Sequence, residues 1–341
     1  MEGTIVTFGE LMLRLNPEGY FRIRQADRYE ASFAGGEANV AVSLANYGEQ
    51  VKFVTKLPAN DLAVAAVNDL RKYGVDTSAI VSGGPRMGIY FVEKGASQRP
   101  SKVLYDRAGS SAALAVPSDY DWDQIFRDAV WFHFTGITPA LGGENPQICL
   151  EALKKAKEKN ITVSCDLNYR KKLWTRDKAR EVMSRLMPYV DVCIANEEDA
   201  KDVFGISAEH SDIQKGQIDY EGYRKVAREI SKRFGCKKVA ITLRGSISAS
   251  VNTWAGMLSS GMETYVSPAY RIQIVDRVGG GDSFAGALIY GILQGFDDQK
   301  TVNFAAAASC LKHTVEHDFN QVSADEVMEL INGNASGRVV R

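Results

Sequence analysis

Excess charge of either sign is missing from this chain: 41 basic and 42 acidic residues leave a formal net charge of -1 over 341 residues. Nucleic-acid partners ordinarily call for a basic face to meet their phosphates, so that class is disfavoured. Long apolar runs are missing too. Residues 5–8 enter an apolar strand with no basic segment ahead of them, so neither a secretory leader nor a membrane helix is expected, and the expected location is cytoplasmic. Cysteine is sparse: Cys149, Cys165, Cys193, Cys236 and Cys310 stand singly, with no Cys-x-x-Cys pair. That spacing suits reduced thiols in a core better than a disulfide frame. There is no Gly-x-x-x-x-Gly-Lys-Ser/Thr sequence, which excludes a P-loop enzyme. Histidine is scarce. Two of the four spell a zinc-peptidase pattern at His313-Thr314-Val315-Glu316-His317, but Asp318-Phe319-Asn320 breaks the helix such a site needs, so the pair reads as a helix end.

What is present is rhythm. Short β-branched or aromatic runs near residues 4–9, 51–55, 130–134, 161–166, 190–195 and 239–243 predict strands. Amphipathic stretches at 61–73, 146–159, 176–187 and 220–234 predict helices between them, and an alanine-rich helix is expected over 299–312. Strands and helices in alternation, with the strands apolar throughout, predict a parallel sheet covered on both faces and hence an α/β class. No repeat period or low-complexity segment interrupts it, and residues 1–341 read as a single domain. Two segments, about 11–34 and 86–108, break the rhythm by alternating aromatic or apolar residues with Arg, Glu and Ser. They read either as β-hairpin material forming a lid or as a pair of ordinary surface loops.

The strongest local signal is Asp276-Arg277-Val278-Gly279-Gly280-Gly281-Asp282-Ser283-Phe284, a glycine run expected to lead into a helix starting near Asp282. Glycines let successive backbone N–H groups converge, and a helix start adds the positive end of its dipole, so the turn can hold phosphate charge without a lysine. It lies too near the C-terminus for a dinucleotide-binding first turn. An aspartate beside an anion site makes sense as the acceptor of a hydroxyl proton during attack on phosphorus. The plainer reading makes Asp282 a helix N-cap. An aspartate's ordinary pKa of about 3.9 would leave it ionised at neutral pH.

This motif resembles the C-terminal signature of the ribokinase-like (PfkB) carbohydrate kinases, and Gly35-Gly36-Glu37-Ala38-Asn39-Val40-Ala41 resembles their N-terminal one. The likeness spans essentially the whole chain. It implies a three-layer α/β/α domain with a β-sheet lid, and transfer of the ATP γ-phosphoryl group, with Mg²⁺, to a primary alcohol of a sugar. It implies Asp282 as general base and Gly279, Gly280 and Gly281 as the anion hole. Asn196, Thr242, Arg244, Gly245 and Asn168, with Gly279 and Gly281, fall on the nucleotide side, and Asp199 falls where the family orders hydrated Mg²⁺. Arg244, Arg277 and Val278 depart from the usual pattern, and Asp199 shortens the usual glutamate. The resemblance also suggests dimers joined through the lids.

A sugar acid requires a fixed cation, best a planar guanidinium. Asp166-Leu167-Asn168-Tyr169-Arg170 follows a strand, and Tyr105-Asp106-Arg107 lies in the lid segment. Both stretches resemble 2-keto-3-deoxygluconate kinases, which implies a substrate shell of Gly35, Gly36, Asn39, Tyr90, Tyr105, Arg107, Arg170 and Asp318. Arg170 facing the ATP phosphates, or the two arginines simply paired with Asp106 and Asp166, remain alternatives. A fructokinase and a non-catalytic sugar- or nucleotide-binding regulator are the rival functions.

Overall fold

The computed structural model describes residues 3–196, 198–207 and 220–334. Its main sheet has ten strands. In spatial order nine of them are Glu263–Val266, Val251–Ser260, Lys238–Ser246, Val192–Asn196, Thr162–Asp166, Ala129–Thr135, Thr4–Phe8, Val51–Leu57 and Ile80–Ser82. The run from Lys238–Ser246 to Ile80–Ser82 is parallel throughout. Antiparallel pairing is confined to one edge, where Glu263–Val266 and Tyr270–Gln273 both join Val251–Ser260. Those three strands escaped the sequence reading, because a meander lacks the strand–helix alternation that marked the rest.

Successive side chains of a strand point to opposite faces, and here that alternation divides the core in two. Ile5, Trp131, Val192 and Ile194 enter one apolar cluster, while Val6, Phe132, Cys193 and Ala195 enter the other. Helices cover both clusters, and the chain is a mixed α/β fold as its sequence predicts. All five cysteines are free, four of them buried and Cys310 half-buried.

A smaller four-stranded sheet stands apart, in the order Tyr29–Ala34, Met12–Pro17, Gly88–Glu93 and Lys102–Asp106. Met12–Pro17 pairs antiparallel with Tyr29–Ala34 and parallel with Gly88–Glu93. The two irregular segments are therefore strands of one sheet, not loops. Its own small core of Met12, Ala34, Tyr90 and Val92 packs against Val278 of the glycine motif, which joins this sheet to the turn. Among the described residues no helix is long and apolar enough to cross a membrane.

Candidate active site

In a parallel α/β sheet, ligands bind beyond the carboxyl ends of the strands, and the polar residues of this chain gather there. In-register neighbours set them side by side: Phe8 pairs with Phe134, Thr135 with Asp166, and Asn196 with Thr242. Above them lies a cleft of about 1450 Å³ lined from both sheets.

One wall is the glycine turn. The helix begins at Gly280, two residues earlier than the sequence suggests, and Gly279 is its N-cap with a left-handed φ of 81°. A side chain at Gly279 would also collide with the Asp318 carbonyl oxygen, 2.1 Å from an added Cβ, and one at Gly280 would strike the His313 ring at 2.4 Å. Nothing lies within 4 Å of a Cβ added at Gly281. No side chain caps this helix, so its first amides are left as donors at the cleft wall.

Asp282, in the first turn of that helix, makes no cap bond, which removes the plainer reading of this residue. Its Oδ2 accepts a hydrogen bond from Asn39 Nδ2 at 2.6 Å, and its carboxyl group borders the cleft. Asn39 comes from a second helix, Gly36–Asn46, so two helix starts meet at this carboxylate. Burial, reinforced by Asp318 and Glu37, raises the Asp282 pKa to about 7, although the Asn39 bond and Arg170 act in the opposite sense. The expectation of ordinary ionisation at neutral pH is therefore corrected: the group is poised near half-ionised. Desolvation is the cause.

The two arginines differ. Arg107 is buried and donates from Nε to Glu10 Oε2 at 2.7 Å, with Nη2 bonded to the same oxygen. Its partner is thus Glu10, not the neighbouring Asp106, which pairs with Arg86 at 2.9 Å. Arg170 is half-buried in the cleft and donates from Nη1 to the Tyr169 carbonyl at 3.2 Å. It forms no ion pair among the described residues, and its charge opposes the raised pKa values of both Asp166 and Asp282. The anticipated pairing with Asp166 is not made.

Asp166 and Asp199 sit together at the cleft floor. Burial, then the charge of Asp199, then that of Asp282, push the Asp166 pKa well above the ordinary carboxylate value. Asp199 accepts from the amides of Tyr169 at 3.0 Å and Asn196 at 3.3 Å, and Asn196 Oδ1 accepts in return from the Asp199 amide at 3.0 Å. Glu197, between them in the motif, lies outside the described residues. Asn168 holds a positive φ of 38° at the same edge.

Of the other anticipated residues, Tyr105, Thr242 and Arg244 also line the cleft. Gly245 lies further along the strand Lys238–Ser246 and is not among the lining residues. Gly35, Gly36, Asn39, Tyr90 and Asp318 form its supporting layer. Gly35 packs against the Glu10 carbonyl, Tyr90 stacks on Tyr105 at 5.8 Å, and Asp318 is paired with Arg14 behind the turn. Arg14 also bonds Asp276, and neither Arg14 nor Glu10 is evident from spacing. The available signals were a charge inside the apolar strand at Leu13-Arg14-Leu15 and an acid just past the first strand. Arg277 stands close enough to Arg244 that burial, then this like charge, lowers its pKa. His313 packs under the turn against Trp254, whereas His317 bonds Glu30 of the small sheet, so the zinc-like pair faces two different ways.

A model of the pfkB family of carbohydrate kinases matches residues 3–320. A 2-dehydro-3-deoxygalactonokinase of Haloferax volcanii is 33% identical over 99% of both chains. A 2-dehydro-3-deoxygluconokinase of Thermoproteus tenax is 28% identical, over 92% of this chain and 90% of its own. The crystal structure of a 2-dehydro-3-deoxygluconokinase of Thermotoga maritima superposes with a TM-score of 0.94 at 54% identity, covering 98% of this chain and 99% of that one.

Proposed function

This chain belongs to the pfkB family of carbohydrate kinases, and from that membership we propose that it phosphorylates the C6 hydroxyl of 2-keto-3-deoxygluconate with ATP. A sugar kinase is a phosphotransferase, so the chemistry is in-line displacement at the γ-phosphorus. The observation that carries the reading is Asp282: a carboxylate facing the cleft beside a helix start, with no capping task of its own.

Asp282 Oδ2 is occupied by Asn39, leaving Oδ1 to accept the proton as the sugar hydroxyl attacks. The amides of Gly279, Gly280 and Gly281 hold the charge that develops on the phosphate. Asn168, Asn196, Thr242 and Arg244 lie on the side where ATP would extend, and the Arg244–Arg277 pair adds positive charge there. Gly245 would take part only through its strand. Asp166 and Asp199 offer two crowded carboxylates, a donor set suited to Mg²⁺ that keeps most of its water. Bound there, Mg²⁺ supplies charge neutralisation for the nucleotide phosphates.

Of the two sugar-side arginines, Arg170 is the one not committed to a carboxylate among the described residues, and it is assigned the keto-acid carboxylate. Arg107 contributes Nη1, while its Nε and Nη2 each donate to Glu10. Tyr105, Tyr90, Gly35, Gly36 and Asp318 shape the remainder, and the small sheet acts as a lid that excludes water on closure. The lid's exposed Tyr20, Phe21 and Leu104, each more than half accessible, support a dimer formed through the lids. Light scattering should give twice the chain mass of 37.4 kDa, and the monomer mass would refute it.

Replacing Gly281 by alanine should leave the melting temperature unchanged and depress turnover, since the methyl meets no protein atom within 4 Å but enters the phosphate's space. Normal turnover would place the phosphate elsewhere. The function itself is tested by ATP consumption against a panel of both C4 epimers of the keto acid, fructose and other sugars. The Haloferax relative's name favours including the galacto epimer. Preference for a keto acid supports the proposal, preference for fructose overturns the substrate, and ATP binding without consumption favours a regulator.

A further inference from the structure

A lysine with no solvent at all needs a reason. Lys312, the last residue of the helix Asp298–Lys312, is 0% exposed, and among the described residues it makes no ion pair. Burying an ammonium is costly unless its donors are satisfied. Its three N–H donors meet three main-chain carbonyls: Asp276 at 3.4 Å, Val315 at 3.4 Å and His317 at 2.5 Å. Such a ring of backbone carbonyls around a buried univalent charge is how a protein replaces the hydration shell of potassium. The surrounding charge balances: Arg14 and Lys312 stand against Asp276 and Asp318, and Arg14 holds both carboxylates directly.

Each carbonyl belongs to chain that sets the glycine turn. The Asp276 carboxylate accepts from the Val278 amide at 3.1 Å, at the entry to the turn. His317 holds a positive φ of 62°, and it delivers Asp318, whose main chain lies hard against Gly279. The amides of Val275 and Asp276 both donate to the His313 carbonyl, so the two stretches are stitched together around the ammonium. Without a cation between them, three carbonyl dipoles would face one another across a buried space.

We propose that the Lys312 ammonium is a built-in monovalent cation, a positioning residue that gathers these carbonyls and thereby holds the phosphate-binding turn in place. An enzyme built this way has no use for free potassium. The assignment rests on the kinase reading above, and its test separates the two. Full-length wild type, Lys312→Ala and Lys312→Met are assayed with MgATP and the keto acid in chloride salts of choline, potassium and ammonium at equal ionic strength. Melting temperatures are taken in the same salts. Wild type should be equally active in all three.

Lys312→Ala should lose about 100-fold or more in choline, the scale of a lost oxyanion donor, and recover about tenfold or more in potassium or ammonium. Its melting temperature alone should rise with potassium, as binding to the native state requires. Lys312→Met, which fills the space without charge, should stay impaired in every salt. Either variant fully active in choline, potassium activation of wild type, or an alanine variant indifferent to salt in both readouts overturns the proposal. Should wild type fail to consume ATP with any keto acid, the kinase substrate is wrong, and the melting temperatures still decide the role of Lys312.

Discussion

Substituting Asp282 by asparagine should lower turnover by about 10²–10⁴-fold, the range expected for a lost general base, with little change in ATP affinity. The shape is conserved, and Asn39 can still donate to an amide oxygen, so the loss reports the proton acceptor. The same substitution should stabilise the protein at alkaline pH. With a folded pKa of about 7, Asp282 binds its proton more tightly in the native state than in the unfolded chain. That preference favours folding below about pH 4 and is lost as pH rises toward 7, at roughly 1.4 kcal/mol for each pH unit. The Asp282→Asn melting temperature should therefore exceed wild type at pH 8 and match it near pH 4. For wild type, kcat/KM should fall about tenfold per pH unit below pH 7, and the profile should lose that limb in the variant's residual activity. Unchanged turnover would leave this carboxylate without a role in proton transfer.

Arginines 170 and 107 should respond differently to alanine, although the sequence places both in the substrate shell. Arg170→Ala removes a cleft guanidinium that pairs with no carboxylate among the described residues, so KM for the keto acid should rise about 100-fold, as for loss of a bidentate charge pair worth roughly 2–3 kcal/mol. Its melting temperature should barely move. Because Arg170 lowers the Asp282 pKa, its loss should also shift the acidic limb of the rate profile to higher pH. Arg107→Ala strips the partner from Glu10, whose side chain is 2% exposed. Breaking a buried pair in this way costs about 3–5 kcal/mol, so this variant should melt markedly lower in addition to binding sugar acid less well. Unaltered keto-acid KM in Arg170→Ala would move that arginine away from the sugar. Equal stability of Arg107→Ala and wild type would contradict the Glu10 pairing.

Much of the site could be read from the chain alone where chemistry and local geometry coincide. Gly279, at the head of the Gly279-Gly280-Gly281-Asp282 motif, is legible because only glycine tolerates both a left-handed φ and main chain packed within 2.1 Å of a Cβ position. Asn196 and Asp199 were reached through the family resemblance, and the structure adds that they bond each other reciprocally across three residues. Glu10 and Arg14 were missed because each acts through a partner far away in the chain, and Lys312 because its carbonyl partners are main-chain groups that carry no side-chain signal. Arg107 bonds Glu10 across 97 residues, and Arg14 bonds Asp318 across 304. The antiparallel edge was missed for want of a periodic helix between its strands.

The amino-acid sequence by itself determined the layered α/β class, the two glycine motifs and the carboxylate beside the second. Those depend on side-chain period and backbone freedom, which act over a few residues. Tertiary structure alone decided that Asp282 is raised to about 7, that Arg107 is spoken for by Glu10 while Arg170 is not, and that Lys312 is ringed by carbonyls. Desolvation and ion pairing depend on what surrounds a group in space, and folding brings those surroundings together from distant parts of the chain.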